Sequence, residues 1–165
     1  MNCSHIQFCD AKGGSLRADR VSQMDLSQLQ TLFKLGAFWA KDRSVEDLSV
    51  AIANSEPAIS VWDGERLIGF ARATSDGIFR ATIWDVVIHP DYRGTGLGRK
   101  LVETVLSHPR INKVERVYLM TTHQQRFYER IGFECTSNTT MVLYNQPLPS
   151  PLPAQEMHLQ ESIGG

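Results

Sequence analysis

The sequence predicts an α/β fold in which a mixed, mostly antiparallel sheet of about six to seven strands is flanked by about four helices. Three observations carry that prediction. Two apolar runs, at 58–63 and 66–75, flank Asp63 and Gly64, a hairpin signal with a mechanism in the turn residues. Residues 81–88 are rich in β-branched and aromatic types, stop at Pro90, and are followed by Leu97, Leu101 and Val105 at helical spacing. Elsewhere, segments of helical and of strand character follow one another along one chain.

Taken in order, residues 1–14 show little apolar periodicity and end in Gly13 and Gly14, so a mobile leader is expected there. Ser15 to Val21 is expected as a first, edge strand. Met24, Leu26, Leu29, Leu32, Phe33 and Leu35 then mark a helix closing near Gly36. Ser44, with Asp47 three residues on, starts a second helix that runs through Asn54. The hairpin follows, and Asp76 and Gly77 turn the chain into a strand from Ile78 to Ile88. Beyond the third helix, Val114 to Thr121 reads as a strand and His123 to Ile131 as a short helix ended by Gly132. Phe133 to Ser137 and Thr140 to Tyr144 read as a last hairpin. Four of the seven prolines fall between Pro147 and Pro153, so a folded domain is expected over 15–145 and a disordered, proline-rich tail over 146–165.

Composition removes several function classes. With 17 Lys and Arg against 18 Asp and Glu, the net charge of −1 makes no electrostatic case for nucleic acid or an anionic membrane surface. Cys3, Cys9 and Cys135 are odd in number with no paired CxxC, which supports neither a disulfide framework nor a zinc site. None of the five histidines sits in a ligand pattern, so no metal is expected. A reducing compartment and no membrane span point to the cytoplasm. The residues neither require nor exclude a homodimer.

The chemistry centres on RGTGLG, from Arg93 to Gly98, at the opening of the third helix. Gly94, Gly96 and Gly98 let the backbone approach a ligand closely, and unpaired amides there point along the positive end of the helix dipole. Each charge-to-terminus interaction is worth about 0.3–1 kcal/mol, so a pyrophosphate needs several amides together with Arg93 or Arg99. The dinucleotide pattern GxGxxG fails because Arg99 stands where its last glycine belongs, and a P-loop fails because Leu101 follows Lys100.

A hydrophobic strand, Pro90 and then RGxGxG opening a helix resemble the acyl-CoA-binding motif of the GCN5-related N-acetyltransferases, and YERIGF at Tyr128–Phe133 resembles that family's second signature. The resemblance covers about residues 15–145. From FWA at Phe38 through SDGIFRATIWDVV to LMTTHQQRFYERIGF, the chain is most similar to the plastid and cyanobacterial serotonin N-acetyltransferase-like group. It implies acetyl-CoA as co-substrate, direct attack by a small-molecule primary amine, and an arylalkylamine such as serotonin or tryptamine as acceptor. A lysine side chain, a protein N-terminus or a polyamine is the alternative acceptor, and a non-enzymatic acyl-CoA sensor is the rival from a different class.

Particular residues acquire roles from this reading. Arg93, Gly94, Thr95, Gly96, Leu97, Gly98 and Arg99 are expected to hold the pyrophosphate. By resemblance alone, the strand residues Val86, Val87 and Ile88 offer backbone groups to the pantetheine arm, and Thr121 stands where many members carry an asparagine on that arm. Strand alternation puts Asp85 on the face of Ile83 and Val87, an apolar setting that raises a carboxylate's pKa and suits a base acting directly or through water. A structural Asp bonded to an arginine such as Arg72, or a seat for the substrate cation, stays open beside it. Tyr128 flanks the core-facing pair Phe127 and Ile131 and is the candidate acid, or hydrogen-bond donor to the leaving sulfur, with a packing tyrosine as the plainer reading. Phe38, Trp39 and Trp84 are candidates for an acceptor pocket, with ordinary core aromatics as the alternative.

Overall fold

The computed structural model describes residues 5–11, 26–137 and 140–145. In chain order the elements are β1 (Ile6–Asp10), α1 (Leu26–Gly36), a 3-10 turn (Phe38–Ala40), α2 (Val45–Ala53), β2 (Ala58–Asp63), β3 (Arg66–Ser75), β4 (Arg80–Ile88), a second 3-10 turn (Pro90–Tyr92), α3 (Leu97–Ser107), β5 (Arg116–Tyr118) and α4 (Gln125–Glu129). The strands form one sheet in the order β1-β2-β3-β4-β5, antiparallel throughout except for the parallel pair β4 and β5. A parallel neighbour requires a crossover, and α3 supplies it.

Strand alternation divides the core in two. Ile59, Val61, Ile68, Ala73, Ile83, Val86 and Ile88 meet Leu97, Leu101, Val102 and Val105 of α3 and Phe127 of α4 on one face of the sheet. Ala58, Trp62, Leu67, Phe70 and Val87 meet Leu29, Leu32 and Phe33 of α1 and Leu48 of α2 on the other. The expected signals operate locally. Ser44 caps α2 by accepting from the Asp47 amide at 3.0 Å, and Gly64 takes φ 58 in the β2–β3 turn. Asp76 Oδ1 accepts from the amides of Ile78, Phe79 and Arg80 at 2.8, 2.7 and 3.1 Å, which holds 77–79 as a turn and delays β4 to Arg80.

Four expectations change. The edge strand is Ile6–Asp10, inside the stretch expected as a mobile leader, while Ser15 to Val21 lies outside the described residues. Ile6 and Phe8 pack beside the α3-facing cluster, Cys9 enters the other, and Asp10 Oδ2 meets His108 Nε2 at 3.0 Å, so five alternating residues suffice for an edge. The strand expected from Val114 to Thr121 shortens to Arg116–Tyr118, the three residues that pair with Arg80, Ala81 and Thr82 of β4.

The last hairpin is absent among the described residues: 133–137 and 140–144 carry no strand. Phe133 turns back on α4 instead, its amide donating to the Tyr128 carbonyl at 3.1 Å. The described sheet therefore has five strands where about six to seven were expected.

The fourth change matters most for the site. Phe70 faces Val87 while Arg72 faces Trp84, so Ala71 stands opposite both Asp85 and Val86. That extra residue is a β-bulge, with Asp85 at φ 56, the one positive φ outside glycine among the described residues. The bulge reverses parity. Val86 and Ile88, not Asp85 and Val87, continue the face of Ile83.

Candidate active site

Beyond β4, His89 accepts from the Asp91 amide at 3.2 Å and Thr95 donates to the Tyr92 carbonyl at 2.6 Å, folding the chain into a tight loop. Gly94 at φ 74 and Gly96 at φ 83 provide its two left-handed steps. Gly96 caps α3 without a side chain, so among the described residues no capping side chain takes the first-turn amides of that helix. A cleft of about 180 Å³ opens there, lined by Ile88, Tyr92, Arg93, Gly94, Gly96, Gly98, Arg99, Phe127, Arg130 and Ile131. Its rim is cationic and glycine-rich; its floor is apolar.

The nearest neighbours of a methyl group built on Gly98 would be Phe127 and Ile88, at 3.5 and 3.7 Å, which is ordinary contact. Packing inside the protein therefore does not demand glycine at that position. A ligand lying against the helix start would, and bare amides with nearby guanidiniums suit phosphate oxygens.

Arg93 lines this cleft, yet its guanidinium turns inward, donating from Nη2 to the Gly36 carbonyl at 3.1 Å and from Nε to Ile88 at 3.3 Å. Burial pulls its pKa below the usual arginine value. Arg99 pairs with Glu103 at 2.7 Å, one helical turn on. Arg130 adds a basic side chain to the rim that sequence reasoning missed, although it is the third residue of YERIGF and lies one turn from Phe127. Leu97 is buried in the α3-facing core.

The ladder between β4 and β5 ends at Thr82 with Tyr118, so along Ile83–Ile88 no described strand lies on that side of β4. Val86, Val87 and Ile88 thus belong to the part of β4 that leads into the cleft. Thr121, expected on the same arm, accepts from the Gln124 amide at 3.1 Å at the approach to α4.

Tyr128 sits on α4, with its ring edge-on to Phe127 at 4.9 Å and to Phe133 at 5.9 Å. Burial pushes the phenol's pKa up to about 12. Its hydroxyl makes no hydrogen bond within the described residues, although buried phenols ordinarily find a partner.

Asp85 departs from its expected setting. Oδ2 accepts from Arg72 Nε at 2.6 Å and Oδ1 pairs with Arg43 Nη1 at 2.8 Å, so both carboxylate oxygens are engaged by guanidiniums. The bulge turns the residue toward the α1–α2 layer, where Arg43 lies over Phe33 at 5.8 Å. Arg72 also donates to Ser55 Oγ at 3.2 Å and stacks over Trp84 at 6.0 Å. Arg43 gave no signal in the sequence, because it stands in a short connection without periodicity.

Phe38 and Trp39 pack edge-on at 5.4 Å, with Trp39 41% exposed. Trp84 is separate from them, its indole donating to Thr74 Oγ1 at 2.9 Å, and it shares no ring contact with the pair among the described residues. No group of three or more His, Cys, Asp or Glu among the described residues is placed to hold a metal ion.

Comparison with known proteins fits this geometry. Residues 24–133 match the profile of the acetyltransferase (GNAT) family. An uncharacterized N-acetyltransferase, ycf52, of Pyropia yezoensis is 39% identical over 136 residues, covering 79% of this chain and 74% of that protein. A GCN5-related N-acetyltransferase 2 of Arabidopsis thaliana, named chloroplastic, is 45% identical over 111 residues, covering 62% of this chain and 43% of that protein. Against three further ycf52-type relatives the chain spans 54%, 57% and 57% of their length. A crystal structure of a GNAT-family protein from Xanthomonas campestris superposes with a TM-score of 0.68 at 26% identity, over 84% of this chain and 94% of that one. No helix of the described residues is long and apolar enough to cross a membrane. A glycine cleft at the start of α3, a β4 edge that parts from β5, a family match over both signatures and a shared fold lead to one conclusion: this chain belongs to the GNAT family of N-acetyltransferases.

Proposed function

We propose that the protein transfers the acetyl group of acetyl-CoA directly to a primary amine, and that the acceptor is an arylalkylamine such as serotonin or tryptamine. The observation that carries this reading is the cleft at Arg93–Gly98, which continues along the part of β4 that β5 leaves uncovered. The α3 amides and the Gly94–Gly96 backbone seat the pyrophosphate, and Arg99 and Arg130 flank it with charge. Bound there, acetyl-CoA supplies a thioester, an acyl group already activated for attack.

Residues of this chain then manage two protons. An amine with a pKa near that of lysine, about 10.4, is neutral at pH 7 only at a cost of roughly 4–5 kcal/mol. Asp85 receives the acceptor as its ammonium, and the proton leaves to water before nitrogen attacks the carbonyl carbon. As the C–N bond forms and the C–S bond breaks, the Tyr128 hydroxyl donates a hydrogen bond to the departing thiolate, and the proton shed by the new amide nitrogen passes through solvent to that sulfur; the hydroxyl has no other partner among the described residues, and its raised pKa keeps its own proton in place. Phe38 and Trp39 offer an aromatic surface for an aryl group.

The cytoplasmic placement expected from the sequence has no more support than a plastid one, given the relative named chloroplastic. Cell fractionation separates the two.

Acetyl transfer assayed on a panel of arylalkylamines, polyamines and lysine peptides tests the acceptor. Preferential turnover of tryptamine or serotonin supports the proposal, and equal, weak rates on every amine contradict it. Binding of acetyl-CoA with no turnover of any amine favours a sensor.

A further inference from the structure

Asp85 is served by two arginines of unequal standing. Arg72 is anchored three ways, through Asp85 Oδ2 at 2.6 Å, Ser55 Oγ at 3.2 Å and the Trp84 ring at 6.0 Å, and its side chain is 16% exposed. Arg43 holds Oδ1 at 2.8 Å, rests otherwise on the Phe33 ring at 5.8 Å, and is 35% exposed. Its main chain is tied down separately, with the Arg43 carbonyl accepting from Gln30 Nε2 at 3.0 Å. The side chain can therefore rotate away without moving the connection that carries it.

One carboxylate flanked by two guanidiniums leaves an excess positive charge in a half-buried place. The Asp85 side chain itself is 5% exposed, and a positive φ holds it at the bulge. Backbone strain of this kind costs on the order of 1–3 kcal/mol and gathers where a side chain must be aimed. Asp85 also lies three residues before Ile88, a wall of the cleft, which at about 3.3 Å per residue is roughly 10 Å along the uncovered part of β4.

We propose that Arg43 is an exchangeable counter-ion: an acceptor ammonium displaces it from Asp85 Oδ1, while Arg72 stays to hold the carboxylate. This rests on the reading that the acceptor is a cationic amine, and it makes Arg43 the residue that sets acceptor affinity. Removing the carboxylate's second partner outright would leave Oδ1 poorly satisfied in a dry site, so an incoming ammonium restores what Arg43 supplied. A neutral acceptor cannot make that exchange. Selection between cation and neutral isostere follows from charge, not from shape.

Steady-state kinetics of Arg43→Gln and Arg43→Lys with tryptamine test the exchange, with inhibition by tryptophol, the neutral hydroxyl isostere, measured alongside. Loss of the competing guanidinium is expected to lower the KM for tryptamine at least about threefold in Arg43→Gln, less in Arg43→Lys, with the KM for acetyl-CoA and the tryptophol inhibition constant unchanged. A structural role alone would move tryptamine and tryptophol together, and that result overturns the proposal. A raised KM for tryptamine, or none of these changes, overturns it as well.

If Arg43→Gln does not fold, Arg43→Lys carries the same comparison. If the wild type acetylates no amine, the proposed function fails separately, and calorimetry of tryptamine binding to the CoA-saturated protein reads the exchange. Tighter binding in the variant supports it there, and equal, weaker or absent binding overturns it.

Discussion

The Arg93 guanidinium donates to the Gly36 carbonyl at 3.1 Å, joining the residue that opens the glycine loop to the last residue of α1. The same side chain takes the Ile88 carbonyl at 3.3 Å, so three segments converge on one half-buried cation. Gly36 lies close against β4, where a Cβ would come within 2.7 Å of Val87 Cγ2, and this proximity brings the α1 carbonyl within reach.

Arg93→Gln is therefore predicted to destabilise the ligand-free protein by about 1–3 kcal/mol, the cost of leaving buried carbonyls without a donor. Thermal unfolding without ligand checks it. A cation that merely reached into solvent toward phosphate would leave that temperature unchanged.

Tyr128→Phe is predicted to lower kcat about 10- to 100-fold while the KM for acetyl-CoA stays near the wild-type value, because the hydroxyl acts on charge that develops at sulfur. Equal kcat in both proteins contradicts the role. The phenol also leaves a mark on stability. Its folded pKa is about 12 against a reference of 10.0, so between those values the unfolded chain loses its proton first. Stability present below pH 10 is lost as pH rises toward 12, and Tyr128→Phe should flatten that decline in alkaline denaturation curves.

His89 marks the acid side. Burial, with the Arg66 guanidinium 2.9 Å from Nε2, holds its pKa below the reference of 6.5, while Asp91 opposes the shift. Below pH 6.5 the unfolded chain takes up the proton first, so stability present above that value declines as pH falls toward the folded pKa. Unfolding temperatures from pH 7.5 to 5 should fall less steeply in His89→Gln than in the wild type. Parallel profiles contradict the assignment.

Much of this molecule is legible in its sequence where one local signal decides one local structure. RGTGLG opens α3, Ser44 caps α2, Asp63–Gly64 turns the hairpin, and Tyr128 sits on a short helix ended near Gly132 at φ 111. What escaped depends on partners distant in the chain. Asp85 lost its expected face because a single inserted residue in β4 reverses parity, and nothing in TIWDVV marks where a bulge falls. Arg93 reads as a phosphate ligand from its neighbours, yet Gly36, 57 residues away, takes its guanidinium. Ile6–Asp10 falls in a stretch expected as a mobile leader for want of apolar periodicity, and pairing with Ile59–Asp63 of β2 and the His108–Asp10 contact make it a strand.

Central to the account is the claim that the cleft at the start of α3 holds the phosphates of acetyl-CoA. Titration calorimetry of acetyl-CoA into the wild type and into Gly98→Ala tests it most directly, since the added methyl meets only ordinary contacts inside the protein but enters the ligand's space. Saturable binding by the wild type, weakened at least about tenfold in the variant at an unchanged unfolding temperature, is the predicted result. No uptake by folded wild-type protein, or equal affinity in both, would contradict it.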